Sequence, residues 1–483
     1  MQLVRLIGHV LHQLLAVLSK NSYHHLVKFL NNIILMLSNK LYLEKLSLLG
    51  IAFLLIFFCL GIHVGWLLQP YDELRIVQII FTLFFFIIAI IKTEDIQLFF
   101  PLFFLIIGSY LILSVKNIYI IQDIFILIFF PIWLYVLCFI YKELLFKETL
   151  FCYSVFFILI ITSIVPSLFL FISIKKFIIE GAWYDWQMNY DSIRVYDSFI
   201  VPIIFLAIYL KSINYKYISY IYPFIVFLLT LGLWFDGARA ALLSVLMGLV
   251  VVFIFSKQHR KLVLGTAAVT LFSFAVYHLT YYFYNQIHDI EKSLNVIRTS
   301  SSGRWELWSY VYQKWIEQPW KGVGGNFLAT TNYPLNHLHN FYLKLIFEWG
   351  VLGFIFLCWI FYQLKKVLTS NDVHIALKAG ICAVAVDAFF SGNLVYPASQ
   401  ISIVLLLGLA FSQYKPDLQV ARQTKYLSKF VILLWFGLFM YILGNYFLQD
   451  LLCWQCGSHA ELMAPGFWYY GKAEHLIHHS LIP

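Results

Sequence analysis

Apolar residues run through this chain in long unbroken blocks separated by short polar breaks. The blocks lie near 46–69, 74–91, 96–115, 118–140, 149–173, 198–210, 217–235, 239–256, 262–284, 341–361, 374–396, 399–414 and 427–449. A helix needs about 20 apolar residues to cross a hydrocarbon layer roughly 30 Å thick. The runs are continuous rather than alternating, which speaks against membrane strands. The pattern therefore predicts an all-α polytopic membrane protein. The block at 198–210 is short and 399–414 has indistinct ends, so the count is twelve or thirteen transmembrane helices. The expected organisation is an N-terminal segment 1–45, a bundle 46–284, a large loop 285–340 between spans nine and ten, further spans over 341–449, and a tail 450–483.

Composition agrees with the pattern. Of 483 residues, 62% are hydrophobic and 12% charged, against about 45–50% and 25% in ordinary soluble domains. A soluble globule could not hide that much apolar surface. This excludes a soluble enzyme, a disordered chain and a nucleic-acid binder. The net charge of +9 is explained by topology. With the N-terminus in the cytoplasm, the cytoplasmic loops hold Lys92, Lys142, Lys147, Lys211, Lys216, Lys257, Arg260, Lys261, Lys365, Lys366, Lys415, Arg422 and Lys425, and the short outer loops only Lys116 and Arg239. Two long outer segments, 174–197 and 285–340, carry eight more basic residues, and long translocated segments escape the positive-inside rule.

Residues 1–40 do not read as a signal peptide, because His9, His12 and Gln13 break the first apolar run. Two amphipathic helices in the cytoplasmic interface fit better: Arg5, His9 and His12 share one face, and His24, His25, Lys28, Asn31 and Asn32 another. In the tail, Cys453 and Cys456 form a lone CxxC, a weak zinc signal because zinc takes four ligands. The pair would be oxidised in a periplasmic tail and reduced in a cytoplasmic one.

Polar chemistry gathers in three places. The first is Asp236-Gly237-Ala238-Arg239-Ala240-Ala241, where Arg239 opens an apolar helix. Such an arginine can meet an anion together with the free helical N–H groups, or it can snorkel to the interface beside Asp236. The second is the loop 285–340, too long for a passive connection. Arg304 follows a Ser-rich start and sets a cation at a helix N-terminus, an unfavourable place that an anion would relieve. Trp305, Trp308, Tyr312 and Trp315 recur at helical spacing, as an interfacial helix requires. Gly322, Gly324 and Gly325 form a turn, with a weak phosphate-cradling signal.

The third place is His337-Leu338-His339-Asn340, leading into the next span. Asn340, Lys344 and Glu348 lie four apart and share a face, so Lys344 and Glu348 can neutralise each other or serve function. A histidine at a membrane mouth can act as a base near neutral pH. No nearby Cys or acid set completes a metal site around His337 and His339, and none is expected. His63, His278 and Asp387 also lie in spans, each read as an isolated polar group with no partner in the sequence.

These stretches resemble the O-antigen ligase and O-antigen polymerase superfamily of bacterial envelope enzymes. His339-Asn340, nine residues, then Gly350-x-x-Gly353 is similar to the ligase signature. The Gly303-Arg304…Trp308 segment with Pro319…Gly322-Val323-Gly324, and Asp236-Gly-Ala-Arg239-Ala-Ala, resemble further family elements, so the likeness covers about 230–355. The resemblance implies a metal-independent, inverting glycosyltransferase of the bacterial inner membrane, facing the periplasm and needing no cofactor. Its donor would be a glycan on undecaprenyl diphosphate, and its acceptor lipid A–core oligosaccharide (a ligase) or another glycan (a polymerase). Arg239 and Arg304 would hold the diphosphate and His339 would be the base, with His337, Asn340, Lys344, Glu348, Trp305 and Trp308 in support. Membrane lipids are expected partners; nucleic acid is not. The ligase comes first. A polymerase, a protein O-oligosaccharyltransferase and a lipid-linked-sugar transporter follow in that order.

Overall fold

The computed structural model describes residues 70–91, 118–145, 148–181, 193–289, 303–331, 333 and 338–414, with isolated positions between 432 and 440. The interfacial helices expected within 1–45, the spans at 46–69 and 96–115, most of that at 427–449, the tail with Cys453 and Cys456, and His63 and His337 lie outside these residues.

Among the described residues every regular element is helical, which agrees with an all-α polytopic membrane protein. In chain order these are α1 (Pro70–Ile91), α2 (Ile118–Leu145), α3 (Glu148–Glu180), α4 (Ile193–Ser212), α5 (Lys216–Phe235), α6 (Arg239–Phe255), α7 (Arg260–His288), α8 (Arg304–Trp315), α9 (Phe341–Thr369), α10 (Ile375–Asp387) and α11 (Pro397–Gln413). Among the described residues five stretches are long and apolar enough to cross a membrane: Val155–Glu180, Arg194–Ser212, Lys216–Phe235, Lys257–His288 and Phe341–Thr369. Shorter apolar helices accompany them in α1, α2, α6 and α11.

The block that looked shortest in sequence sits at the centre. Helix α4 begins at Ile193 and packs against α3, α5, α10 and α11. Its Phe199, Ile203, Phe205 and Leu206 are fully buried, as expected of a helix apolar on all sides. Close approach around it depends on small residues. A Cβ on Gly248 of α6 would run into the Phe205 ring, and one on Gly380 of α10 would press on Phe205 and Leu406.

Many polar groups inside the bundle find partners within it, some on their own helix and some far away in sequence, as a water-free setting demands. Thr162 donates to the Ile158 carbonyl at 2.8 Å and Ser163 to that of Leu159 at 2.6 Å. The fully buried Arg75 of α1 donates to Gln78 Oε1 at 2.6 Å, to Gln400 Oε1 at 3.0 Å and to the Val395 carbonyl at 2.6 Å. It thereby ties α1 to the connection between α10 and α11.

That connection departs from the sequence pattern, which predicts one span over 374–396. Helix α10 ends at Asp387 and a turn-rich stretch runs to Tyr396. Polar Ser391 and Asn393 are buried there and hydrogen-bond backbone carbonyls, Ser391 to Asp387 at 3.0 Å and Asn393 Nδ2 to Val384 at 3.1 Å. Pro397 then starts α11, where its missing N–H costs nothing.

Helix α9 is broken at Gly350, whose φ of 56° and ψ of −135° are non-helical. The break lets the loop after α8 dock by its backbone. Val323 N–H donates to the Phe347 carbonyl at 2.9 Å, Gly324 N–H to that of Glu348 at 2.9 Å, and Val351 N–H to that of Trp320 at 3.2 Å. Gly322 and Gly350 meet backbone to backbone, and a Cβ on either would collide with the other strand of the contact. These glycines therefore serve a packing contact.

Candidate functional site

Three helix starts converge on one cavity of 570 Å³, and each carries an arginine. Arg239 is the first residue of α6, Arg304 the first of α8, and Arg194 the second of α4. All three line the cavity, with Asp197, Asp236, Asp387, Trp305 and Trp308. Free N–H groups and the positive dipole end at a helix start favour an anion, and a guanidinium there adds forked donors.

Local sequence explains the placement. Helix α5 ends at Phe235, and Gly237 (φ 62°) turns the chain so that the Arg239 N–H bonds the Gly237 carbonyl at 2.9 Å. Gly303 (φ 74°) does the same ahead of α8. Left-handed backbone of this kind suits glycine. Helix α8 is fixed by its own small core of Leu307, Val311, Leu328, Leu338 and Phe347. The aromatic stripe divides accordingly. Trp315 packs on Phe347 with ring centroids 5.6 Å apart, while Trp305 is 70% exposed and faces Trp308 at 5.4 Å.

The positive charge is crowded. Burial, and next the charge of Arg194, push the Arg304 guanidinium below its ordinary pKa; Arg239 adds to this. The buried Arg304 Nε has no hydrogen-bond partner. A bound anion would answer both conditions.

His339 is 8% exposed and contacts the cavity wall through Arg194, whose Nη1 lies 3.1 Å from its Nε2 and 3.3 Å from its Nδ1. The guanidinium faces both ring nitrogens, and their donor and acceptor roles follow from the imidazole tautomer. The backbone at His339 has φ 50°, uncommon for a non-glycine residue. It is held on both sides. Trp308 Nε1 donates to the Leu338 carbonyl at 2.8 Å, and Phe341 N–H donates to that of Ala388 at 3.0 Å.

The other residues singled out in sequence fall into separate places. Asn340 caps α9, its Oδ1 accepting from the Leu343 N–H at 2.9 Å. Lys344 and Glu348 form a buried ion pair off the cavity lining, and Glu348 Oε2 also accepts from the Asn326 N–H at 3.1 Å. Asp387, which looked isolated, accepts from Ser391 Oγ at 2.9 Å, and Ser198 Oγ reaches Ser391 Oγ at 3.2 Å. His278 packs its ring on Phe274 at 4.3 Å. Among the described residues no group of three or more His, Cys, Asp or Glu is arranged to hold a metal.

Sequence reasoning missed Arg194 and Asp197. A signal was present: Arg194 precedes an apolar run just as Arg239 does.

Fold and site together define an all-α membrane protein that gathers three arginines and three aspartates around one cavity at the starts of three helices. Residues 224–358 match the family model described as O-antigen ligase, so this segment is similar to the O-antigen ligase and polymerase superfamily. The match supports an O-antigen ligase-type function in general, acting on lipid-linked glycans. No curated protein matches the chain.

Proposed function

We propose that the protein is a periplasm-facing O-antigen ligase of the bacterial inner membrane, transferring a glycan from undecaprenyl diphosphate to lipid A–core oligosaccharide. The observation that carries this reading is the convergence of Arg194, Arg239 and Arg304, each at a helix start, on one cavity beside His339. Paired guanidinium forks suit the diphosphate, and their charge stabilises it as the leaving group.

The reaction balances with one proton transfer. An acceptor hydroxyl oxygen attacks the anomeric carbon from the face opposite the diphosphate. The bond from that carbon to the diphosphate oxygen breaks, and its electron pair leaves with the diphosphate. The hydroxyl proton passes to His339, and the anomeric configuration inverts. Because Arg194 contacts the His339 ring, a diphosphate held by Arg194 brings the leaving group and the base into one site. Trp305 and Trp308 offer faces for the sugar or polyprenyl portion. Asn340, Lys344 and Glu348 support the site by holding the start of α9 and the loop docked on it.

A polymerase would use the same donor chemistry. A deletion strain separates the two. Loss of a ligase leaves bare core, with polymeric glycan still on the lipid carrier. Loss of a polymerase leaves core bearing a single repeat. Lipid-linked glycan retained on the cytoplasmic side overturns both in favour of a transporter.

A further inference from the structure

The cavity that gathers three arginines also carries aspartates, and a bare diphosphate does not explain them. A diphosphate only accepts hydrogen bonds and repels carboxylates. Asp197 is 8% exposed and lines the cavity; its carboxyl is hydrogen-bonded with that of Asp236, which lines the cavity too, while one oxygen of each, Asp197 Oδ1 and Asp236 Oδ2, is buried without a further hydrogen-bond partner. Asp387 is 2% exposed and is joined through Ser391 to Ser198, and all three line the same cavity. Asp197 lies in the field of Asp387 and then of Arg194, and Asp387, hydrogen-bonded by Ser198, Ser391 and Asn393, lies also in that of Arg304. Charge balance accounts for aspartates near arginines. It does not account for a buried carboxylate oxygen left without a donor, which is costly inside a protein.

Arg304 Nε is the complementary case, a buried donor without an acceptor. The site thus lacks one acceptor near Arg304 and one donor near Asp197. A glycosyl diphosphate supplies both in one molecule, because its sugar hydroxyls lie next to its phosphate oxygens. The 570 Å³ cavity falls in the roughly 300–1,000 Å³ range of small-ligand sites, enough for a diphosphate and a sugar.

We infer that Asp197 and Asp387, with Ser198 and Ser391, form the subsite for the first sugar of the lipid-linked donor, and that this subsite selects a sugar without a carboxylate. The inference rests on the functional reading above. Buried carboxylates accept from sugar hydroxyls, whereas a uronic acid would set a further negative charge against them. Repulsion of the wrong ligand is an effective source of specificity.

The test uses the full-length protein in lipid nanodiscs and three probes: undecaprenyl diphosphate, the same lipid bearing N-acetylglucosamine, and the same lipid bearing glucuronic acid. The N-acetylglucosaminyl probe is expected to bind at least about ten-fold more tightly than the glucuronyl probe. In Asp197→Asn/Asp387→Asn all three lipids bind more tightly, because the diphosphate is repelled less, and the gap between the two glycosyl probes narrows to about three-fold or less through the larger gain of the glucuronyl probe. If the double variant fails to fold, Asp197→Asn carries the same comparison. Equal binding of the two glycosyl probes to the unaltered protein overturns the inference, as does a gap unchanged by the substitutions. Failure of the sugarless lipid to bind overturns the functional reading and the inference with it. Binding of that lipid without sugar discrimination overturns the inference alone.

Discussion

Lys344 and Glu348 on one side, and Arg304, Asp197 and Asp387 on the other, are both mixtures of opposite charge placed within a largely apolar bundle. The first set closes on itself. Glu348 receives the Lys344 ammonium and the Asn326 N–H, and the three groups pin the loop after α8 to α9. The second set leaves Arg304 Nε and Asp197 Oδ1 buried and unanswered beside an open cavity. The same residue types therefore do different work, and the difference lies in whether the fold itself completes their hydrogen bonds. A completed set stabilises a contact; an incomplete one beside a cavity is prepared for a ligand.

The strongest way to break this contrast is Glu348→Ala. It strands a buried ammonium, so a loss of about 3–5 kcal/mol is expected, read as a fall in melting temperature and in detergent-extractable folded protein. The paired change Lys344→Met/Glu348→Leu should recover most of it. Normal melting with lost transfer would move the pair into the site. Next, Arg304→Ala should lower transfer by about 10²–10³-fold while the melting temperature holds. Arg239→Ala and His339→Ala should behave alike. A variant of this group that keeps full transfer removes its residue from the mechanism, and one that merely melts earlier is structural.

Smaller effects sharpen the boundary. Gly350→Ala puts a side chain at φ 56° against the Trp320 carbonyl and the Gly322 amide, and should destabilise by about 1–3 kcal/mol. Unchanged melting would show that the break in α9 is not needed for loop docking. Trp308→Phe removes the bond to the Leu338 carbonyl and trims the ring that faces Trp305. About 1 kcal/mol of stability should go, with a few-fold drop in kcat as the His339 turn loosens. A change in KM alone would mean that Trp308 acts through its substrate-facing ring and not through the His339 turn.

Much of this was legible in the chain. The apolar runs set the helices, because a helix in hydrocarbon must be apolar over its length and satisfies its own backbone. Arg239, Arg304 and His339 stood out because charge and imidazole are rare beside such runs. Arg194 did not, since it lay in a long outer segment with other basic residues. Asp387 looked isolated because its partners Ser198 and Ser391 come from the start of α4 and from the connection after α10, and spacing along one helix cannot reveal them. Lys344 and Glu348 showed their pairing at four-residue spacing, but not the Asn326 N–H, which is distant in sequence.

The sequence by itself determined the helical class, the candidate cations and the family likeness over the segment later matched, because hydrophobic length and local motifs are properties of contiguous residues. Only the tertiary structure decided that the shortest apolar block is the central helix, that three separate helix starts share one cavity, and which buried charges are answered and which are not. Those are properties of neighbours brought together from distant parts of the chain. Hydrogen-bond completion depends on such neighbours and not on order along the backbone.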